Sequence, residues 1–260
     1  MDNVNKTLYI PLYGKAWVSR RGLILQDPKA EEIWAAEGFS LKGKAKSKWL
    51  AYNMGMRSAV FDRWTRQQLT EAPEAVILHV GCGLDSRCER VESNGCQWYD
   101  VDFPEVIGER KRYFSETESY HMIGSDIREE AWLAEIPAGK TAIIVMEGIS
   151  MYLRPEELQE VLKRWKDYFG EIRILMDTYT VFGAKATKYK NPINEVGVTE
   201  VFGFDDPKML EEGTGLVFLQ EHSLTPEWLI RQLPQREQGF FRTLFAGSFA
   251  KKIYRLYEYR

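Results

Sequence analysis

Five acidic residues, Asp85, Asp102, Asp126, Glu147 and Asp177, each stand at or just beyond the end of a short apolar run. The first run, Val76-Ile77-Leu78-His79-Val80, breaks into Gly81-Cys82-Gly83 before its acid. One acid after such a run is ordinary, because Asp is a common turn and N-cap residue. A row of them asks for more than capping. Carboxylates accept hydrogen bonds from hydroxyl and amino groups, whereas a phosphate site needs basic or neutral donors. The ligand these residues fit is therefore rich in hydroxyl and amino groups, cationic and free of phosphate.

Spacing narrows the ligand further. Gly81 and Gly83 allow a tight turn and a close approach of the backbone to a ligand. Asp102 lies 19 positions after Gly83, where an acid in a Rossmann-type unit holds the hydroxyl pair of a ribose. A nucleoside-containing cofactor follows. A dinucleotide would want G-x-G-x-x-G, but the third position is Ser86, and Asp85 would face a pyrophosphate. S-adenosylmethionine, with a sulfonium, a ribose, an amino acid end and no phosphate, suits an acid-lined cleft better.

These acids need a sheet to bring them together. Strands are expected over 75–80, 97–102, 120–123, 141–146 and 171–176, with helices over 84–91, 104–114, 129–136 and 155–169 between or after them. Regular alternation of this kind specifies a doubly wound, mostly parallel sheet with right-handed crossovers, whose ligands bind at the carboxyl ends of the strands. Upstream, Asp27-Pro28 reads as an N-cap followed by proline at the first helical position. The stretch 48–69 has the apolar spacing of a long helix. Arg57 and Asp62 fall in it, and by composition alone read as solvated helix charges. Residues 1–74 are expected to form an N-terminal helical extension placed as a lid over the sheet of residues 75–260. After Tyr179 the pattern weakens. Lys185, Lys188 and Lys190, interleaved with Tyr189 and followed by Asn191-Pro192, read as a solvated face and a turn. A strand over 215–221 and a short helix after Thr225-Pro226-Glu227 are expected. The tail 251–259 is open between a helix and an edge strand.

Composition bounds the classes. A chain of 260 residues with net charge −3 and interspersed charges carries no footprint for nucleic acid. No stretch approaches the apolar length of a membrane span, and no basic region followed by a long apolar run opens the chain, so the cytoplasm is the expected compartment. Three cysteines, Cys82, Cys88 and Cys96, do not make a disulfide framework. With His79 they give H-x2-C-x5-C-x7-C, which matches no usual zinc spacing. Packed thiols and no metal are expected.

The stretches HVGCGLDSRCERV, WYDVDFPEVIGERKRYF and IIVMEGISMYLRPEELQEVL resemble successive motifs of the leucine carboxyl methyltransferase family. They are most similar to its bacterial branch of polyketide-type O-methyltransferases. PLYGKAWVSR and LQDPKAEEIW resemble that branch as well, so the likeness runs from about Leu8 to Tyr179. Ser86 stands where the family usually has threonine, and the C-terminal third is unremarkable against it. The resemblance implies the class I methyltransferase fold: α/β and Rossmann-like, with a seven-stranded, mostly parallel sheet whose last strand is antiparallel and inserted beside the fifth. It implies S-adenosyl-L-methionine as cofactor. It also implies that Gly81 and Gly83 flank the methionine part, Asp102 holds the ribose, Asp126 and Ile127 flank the adenine, and Glu147 faces the amino end. By the same likeness Arg57 binds the methionine carboxylate, and Arg21 is a second basic residue reaching the cofactor.

The reading that follows is an O-methyltransferase acting on a carboxylate or acidic hydroxyl of a small, polyketide-like molecule. Its rivals are a nicotinamide-dependent oxidoreductase, a non-catalytic binding protein and a methyltransferase acting on protein carboxyl termini. Tyr152, Tyr179 and Phe182 follow the fourth and fifth strands. They are placed either to line an acceptor pocket or to pack as core aromatics under a loop. A carboxylate acceptor needs no general base, and a phenol is helped by one. His222 is the candidate base, although a lone histidine after a strand is more often structural. With no evident base, the sequence favours a carboxylate or acidic hydroxyl as acceptor. The oligomeric state is left open.

Overall fold

A computed structural model describes residues 8–38, 41, 43–187 and 200–260. Lys188, Tyr189, Lys190 and the Asn191-Pro192 turn lie outside the described residues. The strands are β1 (Val76–Val80), β2 (Trp98–Asp102), β3 (Tyr120–Gly124), β4 (Ala142–Met146), β5 (Ile172–Tyr179), β6 (Phe218–His222) and β7 (Tyr254–Tyr259). The α-helices are α1 (Tyr9–Ser19), α2 (Pro28–Glu37), α3 (Lys48–Glu71), α4 (Arg87–Arg90), α5 (Pro104–Arg110), α6 (Pro155–Phe169), α7 (Val181–Ala186), α8 (Glu227–Ile230), α9 (Gln235–Phe245) and α10 (Ser248–Lys251).

The strands form one sheet in the order β3-β2-β1-β4-β5-β7-β6. The pairs from β3 through β5 are parallel, and β7 runs antiparallel to both β5 and β6. This is the class I methyltransferase sheet. Its register aligns the carboxyl ends, with Val80 opposite both Val101 and Met146, and Met146 opposite Met176. β1 and β4 are buried along their whole length, as parallel strands covered on both faces must be. The strand order reverses at β1 and β4, the switch point where such sheets open a crevice.

Local signals explain the long helices. In α3, the Ser47 hydroxyl accepts from the Trp49 N–H. In α2, the Asp27 carboxylate accepts from the Ala30 N–H, ahead of Pro28. α6 opens with Pro155, its Glu157 side chain accepts from the Arg154 N–H, and Gly170 ends it with φ +79°. Its Leu158, Val161, Leu162, Trp165 and Phe169 fall on one face and join the core on one side of the sheet. The core on the other side is built from α3, through Tyr52, Met56, Phe61 and Trp64, with Phe241 of α9.

Several expected elements differ. The helix expected over 84–91 is a single turn, Arg87–Arg90, because Leu84 to Ser86 complete the glycine turn. The helix expected over 129–136 is a 3-10 run, Ala131–Glu135, and that over 104–114 ends at Arg110. β5 continues three residues beyond Met176, so Asp177 lies within the strand. The tail is a short helix followed by β7, which is interior to the sheet, between β5 and β6, and not an edge. Among the described residues no helix is long and apolar enough to cross a membrane.

Candidate cofactor and acceptor site

The carboxyl rim of the sheet opens on a cavity of about 700 Å³, roofed by residues of α1 (Ile10, Pro11, Leu12, Lys15) and α3 (Leu50, Asn53, Met54, Arg57). It gathers Arg57, Gly81, Gly83, Asp85, Asp102, Asp126, Ile127, Glu147, Tyr152 and Tyr179 from the sequence-derived candidates. Three candidates, Arg21, Phe182 and Asp177, lie elsewhere. Arg21 follows α1 in an exposed turn, with its guanidinium 3.7 Å over the Trp17 ring and donating to the Trp17 carbonyl. Phe182 is 55% exposed on α7 and is not among the lining residues.

Gly81 has φ +64°, and a Cβ there would come within 2.1 Å of Ile149 Cγ2. The left-handed backbone and the packing of Ile149 both demand glycine. Beyond it, the Gly83 N–H donates to Asp102 Oδ2 at 2.8 Å, and the Phe103 N–H donates to Oδ1 at 2.8 Å. Below the turn, buried Arg110 donates to the Gly83 carbonyl at 3.0 Å while pairing with Asp100. The turn is thus fixed from both sides. Burial pushes the Asp102 carboxyl up to about 6 against the pull of those two N–H donors.

The other rim acids are held by cations. Arg57, which composition alone read as a solvated charge, is buried and donates to Glu147 at 2.9 Å and Asp177 at 3.0 Å. Asp177 does not face the cavity: it takes Arg57, the Gly148 N–H and the Tyr254 hydroxyl. Glu147 also accepts from Arg87, which bonds Asp62 at 2.7 Å. Asp85 is paired with Lys15 at 2.7 Å and Arg90 at 2.9 Å, and Arg90 reaches Asp27 and Asp62. Burial alone would raise these carboxyls, but the adjacent guanidinium and ammonium groups hold Asp62, Asp85 and Glu147 below the usual range. Asp126, at the surface, is chelated by Arg128 and is lowered by it. Of the five acids singled out in the sequence, Asp102 is thus the one with no ion pair among the described residues.

The sequence reading missed Lys15, Arg87 and Arg90. Lys15 sits on the buried face of α1 between Leu12 and Ala16, and a cation inside an apolar stripe was the available signal. Arg87 and Arg90, one turn apart behind the glycine turn, give no such signal.

The residues fit S-adenosylmethionine. Counted formally, the buried cluster holds four cations (Lys15, Arg57, Arg87, Arg90) and five carboxylates (Asp27, Asp62, Asp85, Glu147, Asp177). The formal sum is one negative charge, to which Asp102 in the cavity adds when ionised, while burial raises the Asp177 carboxyl; an acidic balance of this kind suits a cationic cofactor. Among the described residues no group of His, Cys, Asp or Glu is disposed to hold a metal ion.

Fold and site together define a class I, S-adenosylmethionine-dependent methyltransferase. The model of the leucine carboxyl methyltransferase family matches residues 7–166, and the chain belongs to that family. It is 30% identical over 227 residues, 86% of this chain and 84% of its relative, to the tetracenomycin polyketide synthesis O-methyltransferase TcmP of Streptomyces glaucescens. It is 27% identical to the S-adenosyl-L-methionine-dependent methyltransferase dpfgK of Gibberella zeae, over 81% of this chain and 78% of that one. Leucine carboxyl methyltransferase 1 of Debaryomyces hansenii is 25% identical over 46% of this chain and 44% of its own. Magnesium protoporphyrin IX methyltransferase from Synechocystis, solved with bound SAH, shares the fold with a TM-score of 0.53 at 10% identity, covering 88% of this chain and 92% of that one.

Proposed function

We propose that the enzyme transfers the methyl group of S-adenosylmethionine to a carboxylate or acidic hydroxyl of a small, polyketide-like molecule. The observation that carries this reading is the continuity of one cavity from the Gly81–Asp102 turn, past Glu147 and Arg57, to Tyr152 and Tyr179. The likeness to TcmP over most of both chains, against less than half for leucine carboxyl methyltransferase 1, supports a small acceptor over a protein carboxyl terminus.

In this reading Asp102 holds the ribose hydroxyls, Asp126 and Ile127 flank the adenine, and Lys15 and Arg57 face the methionine carboxylate. Glu147 faces the amino group, and Tyr152 and Tyr179 line the acceptor lobe. When bound, the cofactor supplies a methyl carbon already activated by its sulfonium. The chain then has to align the acceptor and exclude water, which can supply most of the acceleration of such a displacement. α1 and α3 are suited to that as a lid, because they close the rim with Ile10, Leu12, Leu50 and Met54. Calorimetry with S-adenosylmethionine and with NAD tests the assignment. Micromolar binding of the former and none of the latter is expected, and the reverse result removes it.

A further inference from the structure

His222 ends β6 on the same rim and lines the cavity beyond Arg57 and Tyr254. Its Nε2 lies 2.6 Å from Glu258 Oε2. Glu258, in β7, is buried, and it also accepts from the Trp64 indole N–H at 2.9 Å and the Gln220 amide at 2.8 Å. Burial opposes its charge, but the three donors outweigh burial and hold this carboxyl below its ordinary value. An ionised carboxylate only accepts hydrogen bonds, so the hydrogen between the two side chains belongs to His222 Nε2. In the neutral ring the lone pair is then on Nδ1. Among the described residues nothing donates to Nδ1.

We infer that His222, oriented by Glu258, is a specificity residue that accepts a hydrogen bond through Nδ1 from a hydroxyl of the methyl acceptor. The acceptor class is thereby narrowed to hydroxylated molecules. This rests on the reading that the lobe beyond Arg57 takes the acceptor, and it gives a physical role to a histidine that sequence alone leaves between a general base and a structural residue. The ring is fixed from behind by a carboxylate that cannot release it cheaply. An acceptor lacking the hydroxyl would leave the nitrogen without a donor, which is how a polar pocket rejects an analogue.

The test uses the full chain saturated with S-adenosylhomocysteine, titrated calorimetrically with 6-hydroxy-2-naphthoate, whose hydroxyl is too far from its own carboxylate to bond it, and with 2-naphthoate. Wild type is expected to bind the hydroxylated probe about tenfold more tightly. In His222→Leu the ratio is expected to fall to about one, and in His222→Gln, whose amide can donate to Glu258 while its carbonyl accepts, part of it should return. S-adenosylhomocysteine binding in each variant reports separately on folding and on the cofactor reading, so loss of that binding in wild type would count against the cofactor site and not against His222. A nitrogen NMR measurement on the wild-type histidines supplies a second readout: His222 Nδ1 should be unprotonated and should shift when the hydroxylated probe is added. Equal affinity of wild type for the two probes, no binding of either, a ratio that survives His222→Leu, or a protonated Nδ1 each overturns the proposal.

Discussion

Asp102 and Arg57 show how one rim can hold two differently prepared charges. The Asp102 carboxyl, pushed up to about 6 by burial and held only by two backbone N–H groups, ionises fully only when the pH is well above that value. Ribose hydroxyls donate best to the carboxylate form. Cofactor affinity is therefore expected to rise between pH 5 and pH 7 with release of a proton, and calorimetry in buffers of different ionisation enthalpy would register it; a flat profile would reject the role. At pH 7.5, Asp102→Ala should weaken cofactor binding at least tenfold, on the order of 1.5–3 kcal/mol for a charge-assisted bond. Arg57 differs because it is also structural. Its removal leaves Glu147 and Asp177 without their shared partner in a dry setting, and breaking a buried pair costs about 3–5 kcal/mol. Arg57→Ala should thus lose cofactor binding and also lower Tm by about 10 °C. A variant that binds poorly yet melts like wild type would contradict the network.

At the scale of elements, the glycine turn between β1 and α4 makes the sharpest demand on sequence. Gly81 needs both a left-handed backbone and the space that Ile149 fills, whereas a Cβ on Gly83, φ +51°, meets only Leu8 Cβ at an ordinary 3.5 Å. Gly81→Ala should therefore cost at least about 2 kcal/mol and Gly83→Ala about 1 kcal/mol. Adding Ile149→Ala should recover part of the former and none of the latter, as a double-mutant cycle by urea unfolding would show. Equal costs for the two glycines would mean that Ile149 is not the constraint. The same turn explains what was readable in advance. β1 through β5 and the acids after them were legible, because an apolar run that ends in glycine or a lone acid has few other meanings. Asp85, Asp102 and Glu147 reached the rim as expected. The pairing of those acids was not legible, since Lys15 and Arg87 come from elements whose charges look solvated until the fold buries them. Nor was Arg21 distinguishable from Lys15 by spacing: Lys15 lies on the buried face of α1, whereas the helix ends at Ser19 and leaves Arg21 in an exposed turn. The resemblance placed the last strand beside the fifth, as β7 is, but the residue pattern of the tail by itself did not. Tyr254 to Tyr259 mixes polar and aromatic residues like an edge, but the burial of Glu258 is offset by Trp64, Gln220 and His222.

Across the whole molecule, the ion network joins the N-terminal helices to the sheet. Lys15 of α1 meets Asp85, Asp27 at the start of α2 meets Arg90, and Arg57 and Asp62 of α3 meet Glu147, Arg87 and Arg90. The carboxyls in it that are held low, Asp62, Asp85 and Glu147, contribute stability that is present above their unfolded pKa values and is lost as pH falls through the lower folded ones. Asp102 has the opposite sign. Its folded pKa is raised from 3.8 to about 6, so its contribution is complete below pH 4 and is lost as pH rises through 6. A rise of that size makes the loss at most about 3 kcal/mol in the cofactor-free protein. Between pH 4 and pH 7 the stability of wild type relative to Asp102→Ala should therefore decline, and the groups of the ion network, including Asp177, whose carboxyl burial raises, are common to both proteins and cancel in the comparison. Saturating S-adenosylmethionine should reverse the decline in wild type alone, because hydroxyl donors replace the water that burial removed. Urea unfolding of the two proteins at pH 4, 5, 6 and 7, with and without cofactor, measures this directly. A difference between them that stays constant with pH would show that Asp102 titrates as it does in an unfolded chain, and the rim would then not be a dry site prepared for a ribose.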